Sequence, residues 1–445
     1  MDSFVTRKRS HKDTELGPSA ADSDDDSTDV KLALLASLYP PACDNGNILL
    51  EALLASGGSV EAAAGLLNGE TLPSPSRKKL CLAASTGYQS SLASFRAFNA
   101  THSTRKSLTK KGRTLYLFSP DDIACHTPCS IIHNFLPQAD ANALLRELIA
   151  EAPTFGKETF RLFDNVVTSP HTMAFYVDNW DEAQKQKTEY LYNGSYIADV
   201  RKTLTEMQKV SAKVQHTVNL EIEKRIQTHY PEQKKLKYQS PDEWKPNTAF
   251  VNCYDGGKES VGYHSDQLTY LGPRAVIGSL SLGVAREFRV RKIVPRNTDY
   301  DLADVYARRM DEARADTEGQ ISIHLPHNSL LVMHAEMQEE WKHSIAPAQT
   351  IDPHPIAKNK RINITYRCYR ESFHPEFTPK CRCGVPTVLR CVQKKQENRG
   401  RYIWMCHAGY NPSGNEGCTF FQWAEFDDDG EPPWAERRAA STNSV

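Results

Sequence analysis

Apolar positions follow a different rhythm in each part of the chain. Between residues 29 and 68 they recur at helical spacing. Leu32, Leu34, Leu35 and Leu38 form one stripe, stopped by Tyr39-Pro40-Pro41. Ile48 to Leu54 makes a second, ended by Gly57-Gly58, and Ser59 can cap a third that finishes at Leu66-Leu67. A small three-helix module is predicted there. Residues 1–28 are polar and acidic and are predicted to be a disordered tail, and residues 69–113 are a Ser/Thr/Lys-rich linker.

From residue 114 to residue 376 a period of two takes over. Strands are predicted at Tyr116–Phe118, Ser130–Leu136, Phe160–Val167, Met173–Val177, Ala249–Tyr254, Ala275–Leu282, Glu287–Arg291, Ser329–Met333 and Arg361–Tyr369. Helices are predicted at Asp140–Ala152 and Asp199–Ile226. Asn179–Tyr192 and the charged Arg296–Gly319 read as insertions. Many strands with helices gathered on the N-terminal side give an α+β class: a double-stranded β-helix, or jelly roll, buttressed by helices. Residues 380–426 form a last unit, rich in Cys, Arg and aromatics, and 427–445 a disordered tail.

Composition narrows the functional classes. The 445 residues carry 54 Lys+Arg against 55 Asp+Glu, so any nucleic-acid contact must come from local patches. No apolar run reaches membrane-spanning length, so no membrane partner is expected. Eleven cysteines, four of them at metal spacing near the C-terminal end, fit a reducing compartment. Basic clusters at Arg7–Lys12 and Arg77–Lys79 suit a nuclear location.

The chemistry concentrates in three places. His264 and Asp266 lie two apart on an extended backbone and so point the same way. His343 offers a second imidazole, with His334 as a rival nine residues earlier. Arg361, Asn363, Thr365 and Arg367 alternate with Ile362, Ile364 and Tyr366, which puts two guanidiniums on one strand face. Such a face is costly to bury unless it meets an anion. Two imidazoles and a carboxylate suit non-haem Fe(II), with open positions for a co-substrate and oxygen. Asn252 and Tyr254 share a face and can hydrogen-bond that co-substrate. Near the C-terminal end, Cys381, Cys383, Cys406 and Cys418 suit a tetrahedral zinc site, with Cys391 left between the pairs and His407 as the less favoured substitute for Cys406.

These motifs resemble those of known families. Asn252-Cys253-Tyr254, His264-Ser265-Asp266, Ser279-Leu280-Ser281-Leu282-Gly283, Arg286-Glu287-Phe288, His343-Ser344-Ile345 and Arg361–Arg367, in that order, resemble the AlkB family of Fe(II)- and 2-oxoglutarate-dependent dioxygenases, which dealkylate nucleic acids. The resemblance implies iron on His264, Asp266 and His343. It places the far carboxylate of 2-oxoglutarate on Arg361, with Arg367 close to the same acid. It also implies substrate contacts from Tyr176, Arg286 and Glu287, and leaves Arg274 as a surface charge. Asn398-Arg399-Gly400-Arg401 and Cys418–Trp423, with the four cysteines, resemble the GRF zinc finger, which binds single-stranded DNA in that family. Leu38-Tyr39-Pro40 and Leu66-Leu67 resemble the ubiquitin-facing patch of CUE/UBA-like modules.

The leading expectation is oxidative demethylation of N-alkylated bases in DNA for repair, using Fe(II), 2-oxoglutarate and Zn(II). An RNA demethylase of the same chemistry, and a non-catalytic adaptor joining ubiquitin to DNA, are the alternatives.

Overall fold

In the computed structural model, the described residues are 63, 64, 67, 114–162, 165–295, 319–412 and 416–435. The helical module at 29–68, the linker, and the Arg296–Gly319 insertion except Gly319 therefore lie outside them, apart from those three positions. Among the described residues no helix is long and apolar enough to cross a membrane.

Two sheets face each other. The larger contains β2 (Cys129–His133), β5 (Thr172–Val177), β8 (Val200–Lys202), β9 (Thr248–Asp255), β11 (Ile277–Gly283), β14 (Ser329–Met333) and β16 (Lys360–Arg367), in the order β2-β14-β11-β16-β9-β5-β8. The smaller contains β1 (Thr114–Leu117), β10 (Val261–His264), β12 (Arg286–Lys292), β13 (Gln320–Leu325) and β15 (Trp341–Ile345), in the order β1-β13-β12-β15-β10. This is the jelly roll that the alternating pattern predicts.

Strand alternation splits the apolar residues between two cores. Phe175, Phe250, Tyr254, Phe288, Val290 and Ile323 belong to one. Ala174, Tyr176, Val251, Ile362, Ile364 and Tyr366 belong to the other, with Leu144, Leu145 and Leu148 of α2 (Gln138–Glu151) and Val210, Val214 and Val218 of α4 (Thr205–His229). Helices thus buttress the outer face of the larger sheet. The helix expected from Asp199 starts at Thr205, because Val200 is taken up in β8. Its first turn is capped from a distance: the Glu147 carboxylate accepts from the N–H groups of Glu206 and Met207 at 3.0–3.3 Å.

Other expectations are corrected. Phe160–Val167 is two paired strands, β3 (Thr159–Leu162) and β4 (Asn165–Thr168). Asn179–Tyr192 is no insertion: Asn179 caps α3 (Trp180–Thr188) through Glu182 N–H at 2.8 Å, and Tyr190 and Tyr192 are buried in the inner core. The described part of the tail, residues 427–435, packs against the rest of the chain. Tyr238 N–H donates to Asp428 O at 2.9 Å, Arg370 pairs with Glu431, and Trp434 Nε1 donates to Ser372 O at 2.7 Å.

The cysteine-rich unit is a three-stranded sheet of β17 (Val388–Cys391), β18 (Tyr402–Met405) and β19 (Phe421–Ala424). It is not a separate body. Leu389, Tyr402 and Trp404 share the inner core with the barrel residues.

Candidate active site

Sheet pairing brings the two histidines together. β10 and β15 run antiparallel with His264 directly opposite His343, the position at which cross-strand side chains touch. Their ring centroids lie 4.3 Å apart. Asp266 follows the end of β10 and turns its carboxylate back, with Oδ2 3.6 Å from His343 Nε2. The three ligand atoms lie within 4.8 Å of one another.

Each group is held in a metal-ready state. His264 Nδ1 donates to Gly262 O at 2.8 Å, which leaves Nε2 as the free lone pair. His343 is buried, and burial together with the neighbouring His264 pushes its imidazole down to about 3, so it is neutral. Burial raises the Asp266 carboxyl, but Arg367 and the two imidazoles outweigh it and the net shift is downward. Arg367 is ion-paired to Oδ1, while Oδ2 is buried with no hydrogen-bond partner. An orphaned carboxylate oxygen beside two imidazoles fits a divalent cation.

The arginine strand supplies the second half. Arg361, 1% exposed, donates from Nη2 to Ser281 Oγ and Asn363 Oδ1, both at 2.8 Å, while its buried Nε and Nη1 have no partner. Burial pushes it down to about 10. Its guanidinium lies 5.3 Å from the Tyr254 ring centroid, and that of Arg367 4.5 Å from Phe250. Gly283 ends β11 beside this arginine at φ +85°, where a Cβ would collide with Lys360 O. Two unpaired donors on one buried guanidinium fit a carboxylate such as that of 2-oxoglutarate.

Three proposed substrate contacts lie elsewhere. Tyr176 is fully buried in the helix-facing core, because alternation along β5 turns it away from the inner face. Arg286 is 3% exposed and gives its donors to the carbonyls of Gly256, Gly257, Glu259 and Ala346 at 2.6–3.3 Å, so it clamps loops. Glu287 points opposite to Phe288, which stacks on His343 at 5.4 Å, and accepts from Arg289 and Ser322. Arg274 is not a free surface charge, since it pairs with Glu340 at 2.8 Å. The rival His334 is buried away from the cluster, bonded to Ser130 Oγ at 3.0 Å.

One contact escaped the sequence reading. His171 stacks on Tyr254 with centroids 4.8 Å apart, and its ring is pushed down to about 4, chiefly by burial. It precedes β5 in Ser169-Pro170-His171, and no periodic signal marks it.

In the finger, Cys381, Cys383, Cys406 and Cys418 converge with all four sulfurs within 4.8 Å, which suits Zn(II). Cys391 and His407 are outside the cluster, and His407 Nε2 bonds Pro386 O at 3.0 Å.

A family described as the 2OG-Fe(II) oxygenase superfamily matches residues 128–367, and the GRF zinc finger matches residues 379–427. The Rattus norvegicus protein named alpha-ketoglutarate-dependent dioxygenase alkB homolog 3 is 33% identical over 123 residues, covering 27% of this chain and 35% of that protein. The Arabidopsis thaliana protein named DNA oxidative demethylase ALKBH2 is 31% identical over 122 residues, covering 27% and 37%. The chain thus spans about a third of the length of these relatives. A solved structure titled "The structure of OsALKBH1" is 17% identical with a TM-score of 0.35, covering 54% of this chain and 98% of that one.

Proposed function

The chain belongs to the 2OG-Fe(II) oxygenase superfamily, and from that premise we propose that it oxidatively demethylates N-alkylated nucleic-acid bases, with DNA as the substrate. When bound, ferrous iron would activate dioxygen with 2-oxoglutarate as co-reductant, one oxygen atom ending in succinate with loss of carbon dioxide and the other on the hydroxylated N-alkyl carbon. The rest is done by this chain's own groups. His264, Asp266 and His343 would hold the iron, and Arg367 fixes the Asp266 carboxylate by Oδ1, leaving Oδ2 free to serve as the ligand. Arg361 takes the far carboxylate of the co-substrate. Asn363 holds the Arg361 guanidinium, and Asn252 and Tyr254 line the inner face beside it. Collapse of the hydroxylated product then releases an aldehyde and the restored base. The observation that carries the reading is the joint presence of a three-ligand cluster with an orphaned Asp266 Oδ2 and a buried Arg361 with two unpaired donors.

The surface of the finger supports an unpaired strand as the ligand. The Arg401 guanidinium lies 3.6 Å from the centroid of the Trp423 ring, and Phe421, 53% exposed, packs edge-on to Trp423 at 5.1 Å. An aromatic pair with one exposed ring and a cation on the other is a surface on which unpaired bases stack. A DNA substrate implies a nuclear location, and ubiquitin is a partner proposed from the sequence of residues 29–68 alone.

The test is a panel of 1-methyladenine and 3-methylcytosine oligonucleotides, as DNA and as RNA, scored for base restoration and succinate with Fe(II) and 2-oxoglutarate. Repair of the DNA set is expected. Repair of RNA alone would move the substrate, and succinate release unaffected by every oligonucleotide would end the nucleic-acid reading.

A further inference from the structure

Gln393 belongs to the finger, two residues beyond β17, yet its side chain reaches the loops of the iron site. Its Nε2 donates to Ser265 Oγ at 3.1 Å and to the backbone carbonyl of Gln338 at 2.7 Å. Ser265 stands between His264 and Asp266, and its hydroxyl donates onward to Trp341 O at 3.1 Å, at the head of the His343 strand. Gln338 lies on α5 (Met337–Glu340), just ahead of that strand, and its Oε1 accepts the Asp266 N–H at 2.7 Å. One amide of the finger therefore closes a ring of hydrogen bonds through both segments that carry the three ligands.

Those segments need the support. β10 is four residues long with an irregular register, and Asp266 lies beyond its end with no ladder partner. Around the ring the finger is firmly seated. Tyr402 OH donates to Glu339 Oε1 at 3.0 Å, the same oxygen accepts Arg274 N–H at 2.8 Å, and Leu389 N–H donates to Thr269 Oγ1 at 3.3 Å. Gln338, which contributes both its backbone carbonyl and its Oε1 to the ring, is 1% exposed, and Gln393 and Ser265 are half-buried against it.

We propose that Gln393 is a positioning residue for the metal triad, so that the zinc finger sets the affinity of the neighbouring iron site. The proposal rests on His264, Asp266 and His343 being the ligands. Without the amide, the Ser265–Asp266 turn and the α5 turn move independently, and the metal must order them when it binds.

The experiment is an anaerobic titration of the full chain, zinc-loaded, with Mn(II) in the presence of 2-oxoglutarate, with zinc content measured on the same sample. Gln393→Ala should weaken Mn(II) binding about five-fold, the equivalent of one net hydrogen bond, with zinc retained. Gln393→Glu, which keeps the length but loses both donors, should do the same. Lys395→Ala, exposed on the same finger, should bind Mn(II) as the wild type does. Unchanged Mn(II) affinity in both Gln393 variants overturns the proposal. So does loss of zinc in both, because the amide would then be holding the finger together. A wild-type chain that binds no Mn(II) would instead reject the ligand assignment itself.

Discussion

Replacing Arg361 with methionine separates a residue kept for a ligand from one kept for the fold. The guanidinium is buried with no carboxylate paired to it among the described residues, and its displacement from 12.5 to about 10 reflects burial first. That displacement corresponds to about 3 kcal/mol against the charged folded form. Methionine removes this penalty. It also removes the bonds to Ser281 and Asn363, at about 1 kcal/mol each, although Asn363 Oδ1 keeps the Ser279 hydroxyl at 2.9 Å. The two contributions nearly offset, so the urea midpoint of the ligand-free variant should lie within about 1–2 kcal/mol of wild type. Co-substrate binding has no such compensation. Two charge-assisted hydrogen bonds are lost, at about 1.5–3 kcal/mol each, so 2-oxoglutarate affinity, measured calorimetrically with Mn(II) present, should fall at least about 10²-fold. A variant that unfolds by about 3–5 kcal/mol, as when one partner of a buried ion pair is removed, would refute the reasoning. So would unchanged 2-oxoglutarate affinity.

Other consequences follow from the same geometry. His264→Ala should abolish succinate release while leaving single-strand binding largely intact, and persistent turnover would reject the ligand. Trp423→Ala should weaken binding of a single-stranded oligonucleotide by about 1–3 kcal/mol in a fluorescence titration, with Mn(II) affinity unchanged. His334 is buried and its imidazole is held well below its ordinary value, chiefly by burial. As pH falls below about 6.5 the unfolded chain takes up that proton before the folded chain does, so the stability present above that pH is progressively lost, by up to about 1.4 kcal/mol per pH unit. His334→Gln should flatten the fall in urea midpoint between pH 7.5 and 5.5; an unchanged slope counts against it. Trp434→Ala, which removes the bond to Ser372 and the packing near Trp404, should lower stability by about 2 kcal/mol without releasing zinc.

Much of the site was legible because it is written in strict alternation. The run from Arg361 to Arg367 has one possible set of faces once it is a strand, whereas Asp266 meets His343 by turning back beyond the end of β10 and not by alternation. What the sequence could not give was the opposite face's company. Tyr176 is one residue out of phase with the inner face, and only the pairing of β5 with β9 reveals that. β13 alternates apolar and polar residues, with Ile321, Ile323 and Leu325 inward, but the long charged stretch ahead of it hides the pattern. Long-range polar contacts left no trace at all. Gln393 touches residues 55 and 128 positions away, and His171 gains its meaning only from the ring of Tyr254. The tail reads as polar because its anchors are backbone carbonyls, carboxylates paired with Arg370 and Lys235, and one tryptophan.

The most direct measurement is a crystal structure of the chain soaked anaerobically with Mn(II) and 2-oxoglutarate. The metal should appear bound by His264 Nε2, Asp266 Oδ2 and His343, with the distal carboxylate of the co-substrate against Arg361 Nε and Nη1. Metal bound elsewhere, or a co-substrate that leaves those two donors empty, would contradict the assignment of this cavity to oxidative chemistry.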